Sequence, residues 1–324
     1  LSTLLPTMER ASPACWSQPG ETTYNRSWHH RLLRHEDNPY DWTDCGAGHL
    51  SKVPATLLIC LCGLVGNGAV LWFLRSRIRR NPVTICVLNL AVADFIFLLS
   101  IAVALVIFYG PESLCLRLGS QDVTATLNIT ILFAFTASIY LQTAFSALTS
   151  LSILLPSRCP CHPSWHMSVL ACALLWALAF LLTIILYFCP VVLIAFVLSY
   201  LLSVLSLIFS GLTLLPRVLC CSRQHPAREL CVVVLLLVIF FPFFTADFGY
   251  RLLLRLFDFS GFVFDTSLPL ACVNSSINPV IYFFAGSCAN KFTLSARVAF
   301  QGVFKDVAEP QNRGETPREN PVES

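Results

Sequence analysis

Hydrophobic positions in this chain come in long blocks separated by short polar stretches. The blocks run roughly 53–75, 83–109, 123–155, 167–188, 190–220, 229–255 and 262–284. Most reach the ~20 residues that a helix needs to cross the hydrocarbon of a bilayer. They predict seven spanning helices over residues 53–285, and so an all-α membrane protein built as a seven-transmembrane helix bundle. The weakest boundary is Cys189-Pro190, which leaves almost no loop between blocks four and five. If those two blocks merge, the count is six. Residues 1–52 are polar and mixed in charge, and read as a tail. Residues 286–307 mix Phe292, Leu294, Val298, Phe300 and Phe304 with Lys291, Arg297 and Lys305. That mixture predicts a short amphipathic helix on the membrane surface; the alternative is a frayed, solvated end. Residues 308–324 are rich in Glu, Pro and Asn and predict a disordered tail,.

Composition supports the membrane reading. Hydrophobic residues make up 56% of the 324 and charged residues only 12%, where a soluble domain is nearer a quarter charged. The mean hydropathy is +0.71. A net charge of +3 is too small to indicate a nucleic-acid partner,. Most of the 15 cysteines lie in apolar blocks, as small buried hydrophobes,. None forms a C-x-x-C pair with metal-ligand spacing. Cys15 and Cys45 in the tail are either a disulfide or two free thiols. The chain opens on Leu1; Met8 is an alternative start, and Leu1 to Pro6 is too short for a secretory signal,.

Charge sets an orientation. Alternate loops near 75–80, 156–166 and 216–228 carry eight arginines: Arg75, Arg77, Arg79, Arg80, Arg158, Arg217, Arg223 and Arg228. On the other side Arg117 is the clear loop cation, with Arg251 and Arg255 at a helix end. Basic loops stay cytoplasmic, so the amino terminus is expected outside and the carboxy terminus inside, at the plasma membrane. Asn25-Arg26-Ser27 is then an external glycosylation sequon at Asn25. Asn128-Ile129-Thr130 lies within a block and is expected to go unused.

Polar residues inside the blocks carry the chemistry. The last block holds Asn274-Ser275-Ser276-Ile277-Asn278-Pro279-Val280-Ile281-Tyr282. Two amides, two hydroxyls and a proline in hydrocarbon imply one inward polar face and a loosened helix. Asn67 lies in block one and Asp94 in block two. A carboxylate deep in a span marks function by default. Asn67, Ser138, Asn274 and Asn278 are the amides and hydroxyl expected to satisfy it. Asp94 is then either a neutral staple between helices or part of a hydrated cavity for a hard cation such as sodium. The cavity set is Asp94, Ser138, Asn274, Ser275 and Asn278. Beyond this sodium ion no cofactor is expected.

These motifs resemble the rhodopsin-like G-protein-coupled receptors: Gly66-Asn67, Leu88-Asn89-Leu90-Ala91-Val92-Ala93-Asp94, Trp176 and Asn278-Pro279-Val280-Ile281-Tyr282. Within that class the chain is similar to the Mas-related receptors over about residues 57–309. The stretches that carry this are Gly63-Leu64-Val65-Gly66-Asn67, Arg79-Arg80-Asn81-Pro82, Leu151-Ser152-Ile153-Leu154-Leu155-Pro156, Ala173-Leu174-Leu175-Trp176-Ala177-Leu178 and Asn274 to Pro279. The tail pattern from Arg297 to Glu309 is similar too. The resemblance implies a cell-surface receptor for a peptide or small ligand, coupled to a heterotrimeric G protein. It implies switch positions at Asn67, Pro242, Pro279 and Tyr282.

The departures bear on mechanism. Receptors of this class carry an acid-arginine pair at the inner end of the third span; here Leu148 and Thr149 stand there, followed by Ser150. Coupling is therefore expected to be impaired. Thr124 stands where the class has a cysteine, and Phe240 where many members have a tryptophan. Cys189 matches one half of a bridge that Mas-related receptors can form between the fourth and fifth spans. Outside, Asp247 and Arg251 are four residues apart on one helix face, and either pair with each other or edge a ligand pocket. The fourth and fifth blocks hold no acid, so a cationic pocket does not carry over from the family. Three other classes stay open from sequence: a receptor-like protein that does not couple (a decoy or dimer partner), an ion transporter using Asp94, and an enzyme. The last is disfavoured, because the histidines lie in the tail or in the 156–166 and 216–228 loops, with no catalytic cluster in the spans.

Overall fold

The computed structural model describes residues 52–75, 82–109, 121–154, 165–189, 193–220, 228–254 and 267–289. These hold seven helices: α1 Lys52–Arg75, α2 Pro82–Tyr109, α3 Gln121–Leu154, α4 Trp165–Phe188, α5 Leu193–Cys220, α6 Arg228–Leu254 and α7 Ser267–Ala289. Six of them are long and apolar enough to cross a membrane. In α6 the apolar run Leu230–Thr245 is shorter, but the helix continues to Leu254. Its 27 residues extend about 40 Å, enough to cross,.

Local chemistry accounts for several helix ends. Pro82 opens α2, where a missing N–H costs nothing,. Asp122 places a negative charge in the first turn of α3, against the positive end of the helix dipole,. The doubtful boundary resolves into two helices. Cys189 N–H donates to Ile185 O at 2.7 Å, closing the last turn of α4. Pro190, which has no N–H, follows in the sequence, and α5 resumes at Leu193,. His166 falls in the first turn of α4 rather than in a loop.

One expected boundary shifts. The last helix is described from Ser267 to Ala289, and residues 262–266 lie outside the described residues. Residues 286–289, expected in the surface helix, therefore continue α7. In an apolar medium a helix that keeps making its own backbone hydrogen bonds leaves fewer polar groups unmet. The rest of that stretch, both tails with Asn25, Cys15 and Cys45, and Arg255 lie outside the described residues.

α1 packs on α2 and α7, α7 on α6, and α6 on α5. α3 runs through the middle, touching α2, α4, α5 and α6. α4 leans on α2 and α3 and barely meets α5. Burial follows this plan: 72% of the α3 apolar window is buried, against 22% for α4 and for α5. The outer helices turn Leu174, Phe180, Leu198, Leu202 and Phe209 outward. In water such a surface would drive association; against lipid it is the expected face. Trp176 fixes α4 by donating from Nε1 to Asn89 Oδ1 at 3.0 Å, while Asn89 Nδ2 caps Ile85 O at 2.8 Å.

Candidate functional site

The polar residues of α2, α3 and α7 meet around one carboxylate. Asp94 is fully buried near the middle of α2. Ser138 Oγ on α3 donates to its Oδ1 at 2.6 Å. Asn278 Nδ2 on α7 donates to its Oδ2 at 2.8 Å. Ser275, one turn earlier on α7, lies against the same carboxylate. Of the residues that the sequence grouped with Asp94 on α1, α3 and α7, Ser138, Ser275 and Asn278 lie against it. Asn274 is buried but makes no hydrogen bond to it.

Asn67 takes a different task. Its Nδ2 donates to Gly63 O and to Ser275 O, both at 3.0 Å. The reason is Pro279. Without an N–H it cannot bond the carbonyl four residues back, which is that of Ser275. Asn67 supplies the missing donor from α1, so the break in α7 is stapled to α1. The helices come close enough because glycines face α7. A Cβ on Gly63 would collide with Ser276 Oγ and stand 2.6 Å from Leu98 Cδ1. A Cβ on Gly66 would stand 3.2 Å from Pro279 Cβ. Ser276 Oγ adds a bond to Ile59 O at 3.1 Å, and Cys60 meets Cys272 at 3.7 Å between sulfurs. A second thiol pair, Cys86 and Cys172, joins α2 to α4 at 3.6 Å. These pairs sit as buried apolar fillers, as read from the sequence.

The Asp94 cluster is chemically suited to a hard cation. Its donors are all oxygens: the carboxylate, the Ser138 and Ser275 hydroxyls, and Asn278 Oδ1, which is buried with no hydrogen-bond partner,. Among the described residues no group of three His, Cys, Asp or Glu gathers that suits a transition metal.

At the carboxy-terminal end of α3, Thr149 is fully buried and its hydroxyl has no partner. Leu148 is half-buried against the core. Ser150 Oγ donates to Ser146 O at 2.9 Å and to Ser210 O of α5 at 3.4 Å. Tyr282 is buried, with its ring edge-on to Phe145 of α3 at 6.4 Å. Pro242 lies within α6, where Phe240 stacks on Phe244. Asp247 is half-buried on α6, and Arg251 follows one turn on, its side chain outside the described set. Cys189 is exposed and not in a disulfide.

Two features escaped the sequence reading. Gln142 and Ser146 on α3 are fully buried, and each leaves a side-chain oxygen unpaired; an unpaired buried group costs about 1–3 kcal/mol. An amide four residues after Ser138 in an uncharged span was the signal for them. An aromatic cluster joins Phe97, Phe135 and Phe248, with centroids 4.6 to 6.0 Å apart. No periodicity marks it, because its rings come from three helices.

No family model matches the chain. Curated relatives do. Proto-oncogene Mas of Mus musculus is 34% identical over 274 residues, covering 78% of this chain and 82% of the relative. Mas-related G-protein coupled receptor member X2 of Gorilla gorilla gorilla is 35% identical over 288 residues, covering 82% and 86%. Member B4 of Mus musculus is 31% identical over 294 residues, covering 83% and 89%. The helices around Asp94 are thus those of a G-protein-coupled receptor, a multi-pass membrane protein and not an enzyme. Within that class, the chain belongs to the Mas-related receptors.

Proposed function

We propose that the chain sits in the plasma membrane with its amino terminus outside, takes a peptide or small ligand there, and couples to its G protein weakly. The orientation is supported by the eight arginines of the alternate loops,. Asp247 and Arg251, in the part of α6 that this orientation places outermost, edge the ligand site. The observation that carries weak coupling is Thr149: the position where the family has its arginine holds a neutral side chain, and it is buried.

Magnitudes decide the direction. A guanidinium offers a charged, forked contact that a hydroxyl does not. One charge-assisted hydrogen bond contributes about 1.5–3 kcal/mol, roughly ten- to a hundred-fold in coupling. The restraint that an acid at Leu148 would supply is an ion pair at a half-buried position beside a buried one, where the cost of desolvating both charges offsets most of their attraction,. The lost contact outweighs the lost restraint. In a nucleotide-exchange assay on cells displaying the chain, Thr149→Arg raises exchange, and adding Leu148→Glu lowers its basal part. Robust agonist-driven exchange by the unmodified chain, equal to that of a receptor with the pair, refutes this reading.

A sodium ion belongs to the same proposal. Asp94, Ser138, Ser275 and Asn278 would hold it with the side-chain oxygens that α2, α3 and α7 bring together. The orphaned Asn278 Oδ1 supports this assignment.

A further inference from the structure

Two pairs of thiols each join two helices. Cys60 of α1 meets Cys272 of α7 with the sulfurs 3.7 Å apart, and Cys86 of α2 meets Cys172 of α4 with the sulfurs 3.6 Å apart. All four side chains are buried. Each pair is held in register about one turn further along. Ser276 Oγ donates to Ile59 O at 3.1 Å and fills the space where Gly63 has no Cβ. Trp176 Nε1 donates to Asn89 Oδ1 at 3.0 Å. These contacts fix which residues face each other. Cys62, also on α1, is exposed and lies outside the seam.

Contacting thiols are a short movement from a disulfide. The bond needs sulfurs about 2 Å apart, so each pair must close by roughly 1.6 Å, within the reach of side-chain rotation. What distinguishes the pairs is depth. Cys60 lies about 12 Å along α1 from Lys52, and Cys272 about 8 Å along α7 from Ser267,. Cys86 lies about 6 Å along α2 from Pro82, and Cys172 about 10 Å along α4 from Trp165,. A chain that crosses at every helix runs α1 and α7 one way and α2 and α4 the other. In the orientation proposed above, Cys60 and Cys272 belong to the outer half of the membrane, and Cys86 and Cys172 to the inner half. The secretory lumen and the cell exterior oxidise thiols, whereas cytosolic glutathione keeps them reduced.

We propose that Cys60 and Cys272 are a modification site: in the mature receptor they form a disulfide across the α1–α7 seam, while Cys86 and Cys172 remain thiols. The oxidant is a disulfide carrier of the secretory lumen, acting as α7 docks on α1 and before the seam excludes solvent. The Cys60 thiolate attacks the carrier's disulfide, forms a mixed disulfide and releases one carrier sulfur. The Cys272 thiolate then attacks the Cys60 sulfur and releases the second carrier sulfur. One S–S bond forms and one breaks, and the two thiol protons end on the carrier, which leaves as a dithiol. The bond joins residues 212 apart in sequence, a long loop whose closure restricts the unfolded chain strongly. Which pair is oxidised rests on the proposed orientation; the pairing itself does not.

Differential alkylation of the full chain expressed in cultured animal cells tests this without any variant. Cells are lysed into denaturant with N-ethylmaleimide, which caps free thiols. Disulfides are then reduced, the new thiols are capped with an isotopically heavy reagent, and each cysteine is read by mass spectrometry. At Cys60 and Cys272 the heavy label should exceed the light one roughly tenfold or more, and at Cys62, Cys86 and Cys172 the light label should dominate. An unreduced digest should contain the Cys60 peptide linked to the Cys272 peptide. Light label at Cys60 and Cys272 overturns the proposal, as does a link from either to another cysteine. An epitope tag at the amino terminus, stained on the same cells, separates this failure from that of the orientation. Light label at Cys60 and Cys272 with the tag exposed on intact cells overturns the disulfide itself. Heavy label at Cys86 and Cys172 instead, with the tag hidden until permeabilisation, overturns the assignment through the orientation.

Discussion

Asp94 shows how much one side chain organises. It accepts from α3 and α7 at once, so its removal strands two buried donors. Asp94→Ala should cost about 1–3 kcal/mol for each stranded group. Asp94→Asn keeps an oxygen for one of them and should cost less. Thermal unfolding of the purified chain ranks the two variants, and equal losses would contradict the account. The cation assignment has its own readout. Sodium chloride, compared with choline chloride, should raise the melting temperature of the unmodified chain and not that of Asp94→Asn. A sodium effect that survives in the Asn variant would place the ion elsewhere.

At the scale of helices, the seam between α1 and α7 combines close packing with a repaired break. Gly63 faces Ser276 and Leu98 with no room for a Cβ, and both belong to packed helices. Gly63→Val should therefore destabilise by about 1–3 kcal/mol, the usual cost of overpacking. Asn67→Leu removes the donor that replaces the missing Pro279 N–H and leaves Ser275 O unmet by α1. Restoring the backbone donor compensates: Pro279→Ala in the Asn67→Leu background should recover part of the lost stability. A double variant no more stable than Asn67→Leu alone would show that the two residues do not act on one carbonyl.

For the whole molecule, topology is the property most open to direct test. An epitope tag before Thr7 should be stained on intact cells, and one after Ser324 only after permeabilisation. The opposite pattern would reverse every assignment of an outer and an inner end. In either orientation the outward Leu and Phe of α4 and α5 form a lipid-facing surface,. Single substitutions such as Phe209→Leu there should change stability by less than about 1 kcal/mol, since lipid repacks around either side chain. Unfolding measurements on the nanodisc-embedded variant check this.

Much of this was legible in the chain alone. Long apolar blocks dictate helices, because a bilayer leaves backbone groups no other partner. Asp94, Asn278 and Pro279 declared themselves, because a polar group or a missing N–H in hydrocarbon needs a reason. Motif similarity was enough to point to the Mas-related receptors. Only tertiary structure decided which polar groups meet. Asn67 and Ser138 were equal candidates for Asp94, yet Asn67 turns to the carbonyl that Pro279 leaves open, a preference set by how closely α1 approaches α7. The same holds for Gln142, Ser146 and Thr149. Their types and spacing are in the sequence, but whether an oxygen is satisfied depends on what a neighbouring helix brings to it. Spacing along one helix determines which side chains share a face; only the packing of other helices determines what that face meets.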